Sequence, residues 1–242
     1  MRMDCQATLL LRLEGPVQHW TYGLPEGMNS DLLPELHALP SKRFVLSLVC
    51  QVMGLGRRDP RQVPLLDLRL GVRVDRPGHA EMEAAGRRVT VRDASFLVGL
   101  EHHDRKVLFD LQEALRTPRR LPGLARRVPP SVPLYVAGGL HGTHLTESLQ
   151  RHPADLPEGR PLTFVVEDGA YVPLQHRPVG GVVLDQPRWC VRTGPVVARY
   201  VLMWRQTLEP RDAVRERPVV LPTQSSGADP WDTWEEARPR RP

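Results

Sequence analysis

The apolar residues of this chain recur with two different periods, and the switch between them constrains the fold more than any other feature. Residues 7–14, Ala-Thr-Leu-Leu-Leu-Arg-Leu-Glu, are a leucine run of strand length, which predicts a buried β-strand. Gly15-Pro16 is expected to break it into a loop that lasts until Pro40. From 42 to 55 the spacing becomes helical: Phe44, Val45, Leu48, Val49, Val52 and Met53 share one face. Ser41 is placed as the N-cap, and Gly54 and Gly56 form the stop. Over 66–74 the period falls to two, with Leu66, Leu68, Leu70, Val72 and Val74 alternating against Asp67, Arg69, Gly71 and Arg73. That pattern predicts a half-exposed strand, ended by Arg76-Pro77-Gly78.

A further strand is predicted over 89–101, antiparallel to the last through a loop spanning 76–88. Over 104–115, Val107, Leu108, Leu111 and Leu115 face away from Arg105, Asp110 and Glu113, the mark of an amphipathic helix. Thr117-Pro118 ends it, an arginine-rich loop runs to Pro130, and a short apolar run covers 132–137. The order is β-α-β-β-α-β, so the expected class is α+β with a ferredoxin-like, RRM-like domain over 1–137. Residues 138–208 are expected to form a smaller, mostly β subdomain, with strands near 162–167 and 196–204 and a turn at Pro178-Val179-Gly180-Gly181. The tail, 209–242, is rich in Pro, Ser and charge and is expected to be flexible. Within it, Asp229-Pro230 could start a short helix that places Trp231 and Trp234 on one face. Such a helix could dock on a partner or fold back on its own domain.

The formal net charge is +5 and the pI about 9.5. Of the 33 basic residues only Lys42 and Lys106 are lysines, which leaves 31 arginines. The planar guanidinium fork matches phosphate oxygens, although GC-rich coding also favours arginine over lysine. The balance favours a polyanionic partner. Cys5, Cys50 and Cys190 have no metal-type spacing and are odd in number, which argues against zinc and against a disulfide framework. No apolar run is long enough for a membrane span. With Asp4 and no signal pattern at the N-terminus, the expected location is cytoplasmic.

The residues best suited to chemistry are basic. Arg116, Arg119, Arg120, Arg126 and Arg127 lie in a stretch without any acid, stiffened by Pro118, Pro122, Pro129 and Pro130. Clustered guanidinium groups on a stiff loop suit phosphate binding, because little freedom is left to lose. The helix start Ser41-Lys42-Arg43 combines free N–H groups, the positive end of the dipole and two cations. Trp20 and Tyr22 could stack on an unpaired base or pack inward. His141 and His144 have a metal-type spacing without a third ligand, and His102-His103 sits at a strand end. No metal, cofactor or catalytic residue is expected. The alternative is a metal-independent RNA cleavage site built from Tyr22, Lys42 and a histidine.

Several segments together resemble one family. The stretch from Leu9 to Trp20, Leu-Leu-Leu-Arg-Leu-Glu-Gly-Pro-Val-Gln-His-Trp, is similar to that family's first strand and turn. Pro40-Ser41-Lys42 with Leu55-Gly56-Arg57-Arg58-Asp59 resembles its first helix. The strand from Leu70 to Gly78, the strand Arg92-Asp93-Ala94-Ser95-Phe96-Leu97-Val98, the loop Leu124-Ala125-Arg126-Arg127-Val128-Pro129-Pro130 and the turn Pro178-Val179-Gly180-Gly181 follow in the same order. The family is the CasD subunits of the type I-E CRISPR Cascade complex, in the RAMP superfamily. The resemblance covers about residues 7–200. It implies a non-catalytic RNA-binding subunit that caps the 5′ handle of the crRNA. It also implies CasC-type backbone and CasA-type large subunits as partners, with target DNA near the complex. Gln18, Trp20, Ser41, Lys42, Arg43, Arg119, Arg120, Arg126 and Arg127 become the RNA-binding candidates. A related subtype's version cleaves repeat RNA, so a RAMP endoribonuclease is the alternative. Three departures stand out: Arg43-Phe44 replaces a small pair, Ala125 replaces a glycine, and the thumb region 76–92 is short and carries Glu81 and Glu83.

Overall fold

The computed structural model describes residues 7–21, 38–56, 58–82, 88–125, 128–154, 160–170, 178–188 and 196–208. The tail with Trp231 and Trp234, the loop with Tyr22, and the pair Arg126 and Arg127 lie outside the described residues. The elements are β1 (Ala7–Thr21), α1 (Lys42–Val52), a 3-10 turn (Pro60–Gln62) leading into α2 (Val63–Leu66), β2 (Arg69–Arg76), β3 (His79–Met82), β4 (Arg88–His102) and α3 (Arg105–Arg116). They continue with β5 (Tyr135–His141), α4 (Leu145–Arg151), β6 (Pro161–Glu167), β7 (Val179–Pro187) and β8 (Val196–Thr207). The strands form one sheet in the order β5-β1-β4-β2-β6-β8-β7, with β3 also paired to β4. Every pairing is antiparallel. The protein is therefore an α+β fold, a mostly antiparallel sheet with few helices.

Strand alternation splits the core in two. Leu9, Leu11 and Leu13 of β1 face one side with Phe96 and Val98 of β4, under Val45, Val49 and Val52 of α1 and Leu108 and Leu111 of α3. Leu10 and Leu97 face the other, under Leu145 and Leu149 of α4, beside Phe164 and Trp204. Helix α4 can lie close because Gly71 and Gly99 are cross-strand partners beneath it. A Cβ on Gly99 would meet Leu145 Cδ1 at 2.5 Å.

The structure corrects four expectations. Gly15-Pro16 does not end β1, which runs on to Thr21. Ladder pairing with β4 skips Pro16 and Asp93, so the missing proline N–H is not needed there. Asp93 adopts φ 54°, and beyond it even-numbered residues of β1 face the α1 side, Trp20 included. Second, most of the predicted loop 76–88 is ordered differently: β3 continues the line of β2 along β4 after a break at Pro77-Gly78. Gly78 has φ 65°, and a Cβ there would sit 2.1 Å from Arg92 O. Third, Val179-Gly180-Gly181 begins the strand β7 and is no turn. Fourth, Arg73, expected on an exposed face, is fully buried.

Candidate nucleic-acid interface

The start of α1 is as predicted, but its anion partner is internal. Ser41 Oγ accepts a hydrogen bond from Phe44 N–H at 3.3 Å. The Lys42 N–H donates to Asp185 Oδ2 at 2.6 Å, and Arg199 grips the same carboxylate through Nε at 2.6 Å and Nη2 at 2.9 Å. A carboxylate from β7 thus occupies the place a phosphate would take at a helix N-terminus. Lys42 Nζ is 3.0 Å from both Glu167 oxygens, and its side chain is 3% exposed. Ser41 and Lys42 are therefore buried and internally partnered, while Arg43 is half-buried and also has a partner.

Burial lowers the Lys42 pKa below 10.5, with the nearby Arg199 charge acting in the same direction and Glu167 opposing. The unfolded chain then holds this proton to higher pH than the folded one, so folding stability rises with pH through that interval. The cost of burying the ammonium is fully present below the folded pKa and is relieved as pH approaches 10.5. The stability of the wild type relative to Lys42→Met should increase between neutral and alkaline pH in denaturant titrations. A flat or falling difference would contradict the assignment.

Gln18 and Trp20 also point inward. Gln18 Nε2 donates to Ala94 O at 2.9 Å, and the residue is fully buried. The Trp20 ring is 1% exposed. It makes edge contacts with Phe44 at 5.5 Å and Phe96 at 5.6 Å. In a chain with only 5% aromatic residues, the core uses this one: it clamps the first turn of α1 to β4. Neither residue presents a surface on which a base could stack.

The arginine-rich loop is the part that faces out. The His19 N–H to Leu124 O hydrogen bond at 2.8 Å ties it to β1, and the segment after it continues along the same strand through Ser131 N–H to Glu14 O at 2.8 Å and Arg12 N–H to Leu134 O at 2.9 Å. Ala125 and Val128, which bracket Arg126 and Arg127, form a bridge. Arg119 and Arg120 are exposed. Arg119 is anchored by its own N–H to Val52 O at 2.8 Å, at the end of α1. Arg116 is engaged locally: it lies 5.1 Å over the Tyr135 ring, donates to the Tyr135 hydroxyl and pairs with Glu113. The structure thus separates the predicted residues, burying Gln18, Trp20, Ser41 and Lys42 and exposing Arg119 and Arg120.

Sequence reading missed a second charged surface. Where β1, β4 and β3 run side by side, Val17 pairs Arg92, which pairs His79, and His19 pairs Thr90, which pairs Glu81. Arg88, Arg92 and His79 are exposed there together with the acidic Glu81. The signal was the continued alternation of residues 17–21, masked by the Gly-Pro pair.

His102, His141 and His144 lie near Glu101, since Thr8 pairs both Glu101 and His141. His102 and His103 stack at 4.3 Å, and His144 Nδ1 lies 3.8 Å from Glu101 Oε1. Among the described residues no group of three or more His, Cys, Asp or Glu side chains is placed to hold a metal. Nor, among them, is any helix long and apolar enough to cross a membrane.

No family model and no curated protein matches the chain. Solved structures do. A chain described as "CRISPR RNA-guided surveillance complex" is 21% identical, with 83% of this chain and 90% of that one covered and a TM-score of 0.57, a likeness of fold. A structure described as "Crystal structure of Cas protein" is 32% identical, with 83% of this chain and 94% of that chain covered and a TM-score of 0.61. At that identity over nearly the whole of the relative, the chain belongs to the Cas proteins, the CRISPR-associated family.

Proposed function

We propose that this chain is the CasD-type subunit of a type I-E Cascade, which holds the 5′ handle of the crRNA and does not cut it. On this reading β5-β1-β4-β2, with α1 and α3, is a ferredoxin-like RAMP domain, and the partners are a CasC-type backbone subunit and a CasA-type large subunit near target DNA in the cytoplasm. The observation that carries the reading is the acid-free arginine loop, tied to β1 through Leu124 O and to the end of α1 through the Arg119 N–H, with Arg119 and Arg120 facing solvent. A pinned loop presents its guanidinium groups to a bent RNA backbone at small entropic cost. The absence of cutting is supported by Lys42, whose ammonium is held by Glu167 inside the fold and is not presented to a scissile phosphate.

The test is to incubate the purified chain with its repeat-derived RNA without metal. Retention of uncut RNA is expected; a specific cut yielding a short 5′ handle would establish the endoribonuclease instead. Arg126→Ala with Arg127→Ala should weaken retention at every sequence alike. It should also lower the slope of log affinity against log salt by about 0.7 for each phosphate no longer neutralised. Unchanged affinity and slope would remove the loop from the interface.

A further inference from the structure

Strand β7 closes one end of the sheet, and among the described residues only β8 pairs with it. Its other side offers a row of backbone N–H and C=O groups, which is a template for a further strand. Folded proteins blunt such edges with bulges, prolines and inward-pointing charges. The C-terminal end of β7 has all three. The register shifts between Leu184 and Gln186, the buried Asp185 is turned to the Lys42 N–H and Arg199, and Pro187 ends the strand. The first part of β7 has none of them. Residues 179–184 read Val-Gly-Gly-Val-Val-Leu, without a charge or a proline.

The surface beside this stretch is apolar. Val179 is 54% exposed, and Tyr200 of β8 is 65% exposed. They lie on opposite faces. Val179 pairs Met203, which packs on the α1 side, while Tyr200 shares the α4 side with Leu202 by strand alternation. Gly180 pairs Leu202, and a Cβ on Gly180 would meet nothing within 4 Å. The edge is therefore notched at Gly180, beside Leu202 and Tyr200. A side chain from an added strand can lie across that notch, as aromatic residues lie across glycines in paired strands.

Backbone geometry makes the guest an extended segment, and area decides where it comes from. Six residues give about 20 Å of edge, and a strand roughly 10 Å deep across its two faces then covers on the order of 400 Å² over both partners. A stable complex needs about 1,200 Å² or more, so a second copy joined only through β7 would dissociate. An arm of a subunit that is already held elsewhere meets the edge at high effective concentration.

We infer that residues 179–184 take an extended arm of a neighbouring subunit as a ninth strand of the sheet, with a large apolar side chain of that arm over Gly180 against Leu202 and Tyr200. The inference rests on the reading of this chain as a subunit of a larger assembly. It places a protein contact at the end of the sheet away from β1, to which the arginine loop is tied.

The experiment is amide hydrogen exchange on the full chain, alone and in the assembly formed by co-expression with the CasC-type and CasA-type subunits and RNA. Amides of 179–184 should exchange at least about tenfold more slowly in the assembly. Gly180→Lys, whose side chain enters open space and blunts the edge, should abolish that protection and lower retention of one neighbouring subunit, with RNA binding by the isolated chain unchanged. Phe109→Lys, a like change at an exposed residue of α3, should alter neither. If the chain assembles and 179–184 stay unprotected, or if Gly180→Lys is protected as well as the wild type, the strand addition is wrong and the assembly reading stands. If the chain joins no subunit and no RNA, the assembly reading fails and this inference with it. Protection already present in the isolated chain also overturns it: where it depends on concentration the edge belongs to a second copy, and where it does not, to a segment of the same chain.

Discussion

Arg73→Ala is expected to destabilise the fold by about 3–5 kcal/mol, the cost of breaking a buried, hydrogen-bonded charge pair. Arg73 is fully buried, and all five of its N–H donors are used. Nε and Nη2 hold Asp75. Nη1 reaches Leu149 O at 2.7 Å and His152 O at 2.5 Å, and Nη2 reaches Pro153 O at 3.0 Å. Those three carbonyls end α4, so a guanidinium from β2 both caps that helix and fastens it to the sheet. Removing it leaves the Asp75 carboxylate, 4% exposed, with only the more distant Arg12 at 3.8 Å as a cationic partner among the described residues and unpairs the helix end. Denaturant unfolding measures the loss. Arg73→Lys should recover only a small part of it, since an ammonium cannot reproduce the fork. A loss below about 1 kcal/mol, the scale of an exposed ion pair, would show that the network contributes little.

Asp185→Ala should be comparably costly, again about 3–5 kcal/mol. Its side chain is fully buried, and it answers both the Lys42 N–H at the head of α1 and the Arg199 guanidinium. The variant leaves an emptied anion site at a helix N-terminus, flanked by two cations. Inorganic phosphate should therefore raise the melting temperature of Asp185→Ala clearly more than that of the wild type, where the carboxylate already fills the place. Equal responses would mean that Asp185 is not acting as the internal anion.

The same residue explains how the sequence reading of the site went astray. Ser41, Lys42 and Arg43 have the composition of a phosphate cradle, and the helix they open is real. The anions that satisfy it, Glu167 and Asp185, come from 125 and 143 residues away. No local pattern could announce them. Trp20 was ambiguous for a related reason: its neighbours Phe44 and Phe96 meet it only once α1 has folded over β4.

Local physics was enough for much of the rest. Helix α3 follows Asp104, which caps it by accepting from Lys106 N–H at 2.8 Å, and α1 follows Ser41. Strands β4, β6 and β8 lie where alternation or apolar runs placed them. Short elements were harder. Helix α4 spans only Leu145–Arg151, too few residues for a period to emerge, and it is held by Gly71, Gly99 and Arg73 from other strands. Strand β3 is four residues long and exists because β4 offers it a template.

By itself, then, the sequence determined the α+β class, the main helices with their caps, and a basic loop without acids, because these depend on period, capping and composition within a few residues. Which charges face solvent and which are consumed inside were decided only by the tertiary structure. Those outcomes depend on which carboxylates arrive from distant strands, and burial makes a cation's partner obligatory wherever the chain happens to bring one.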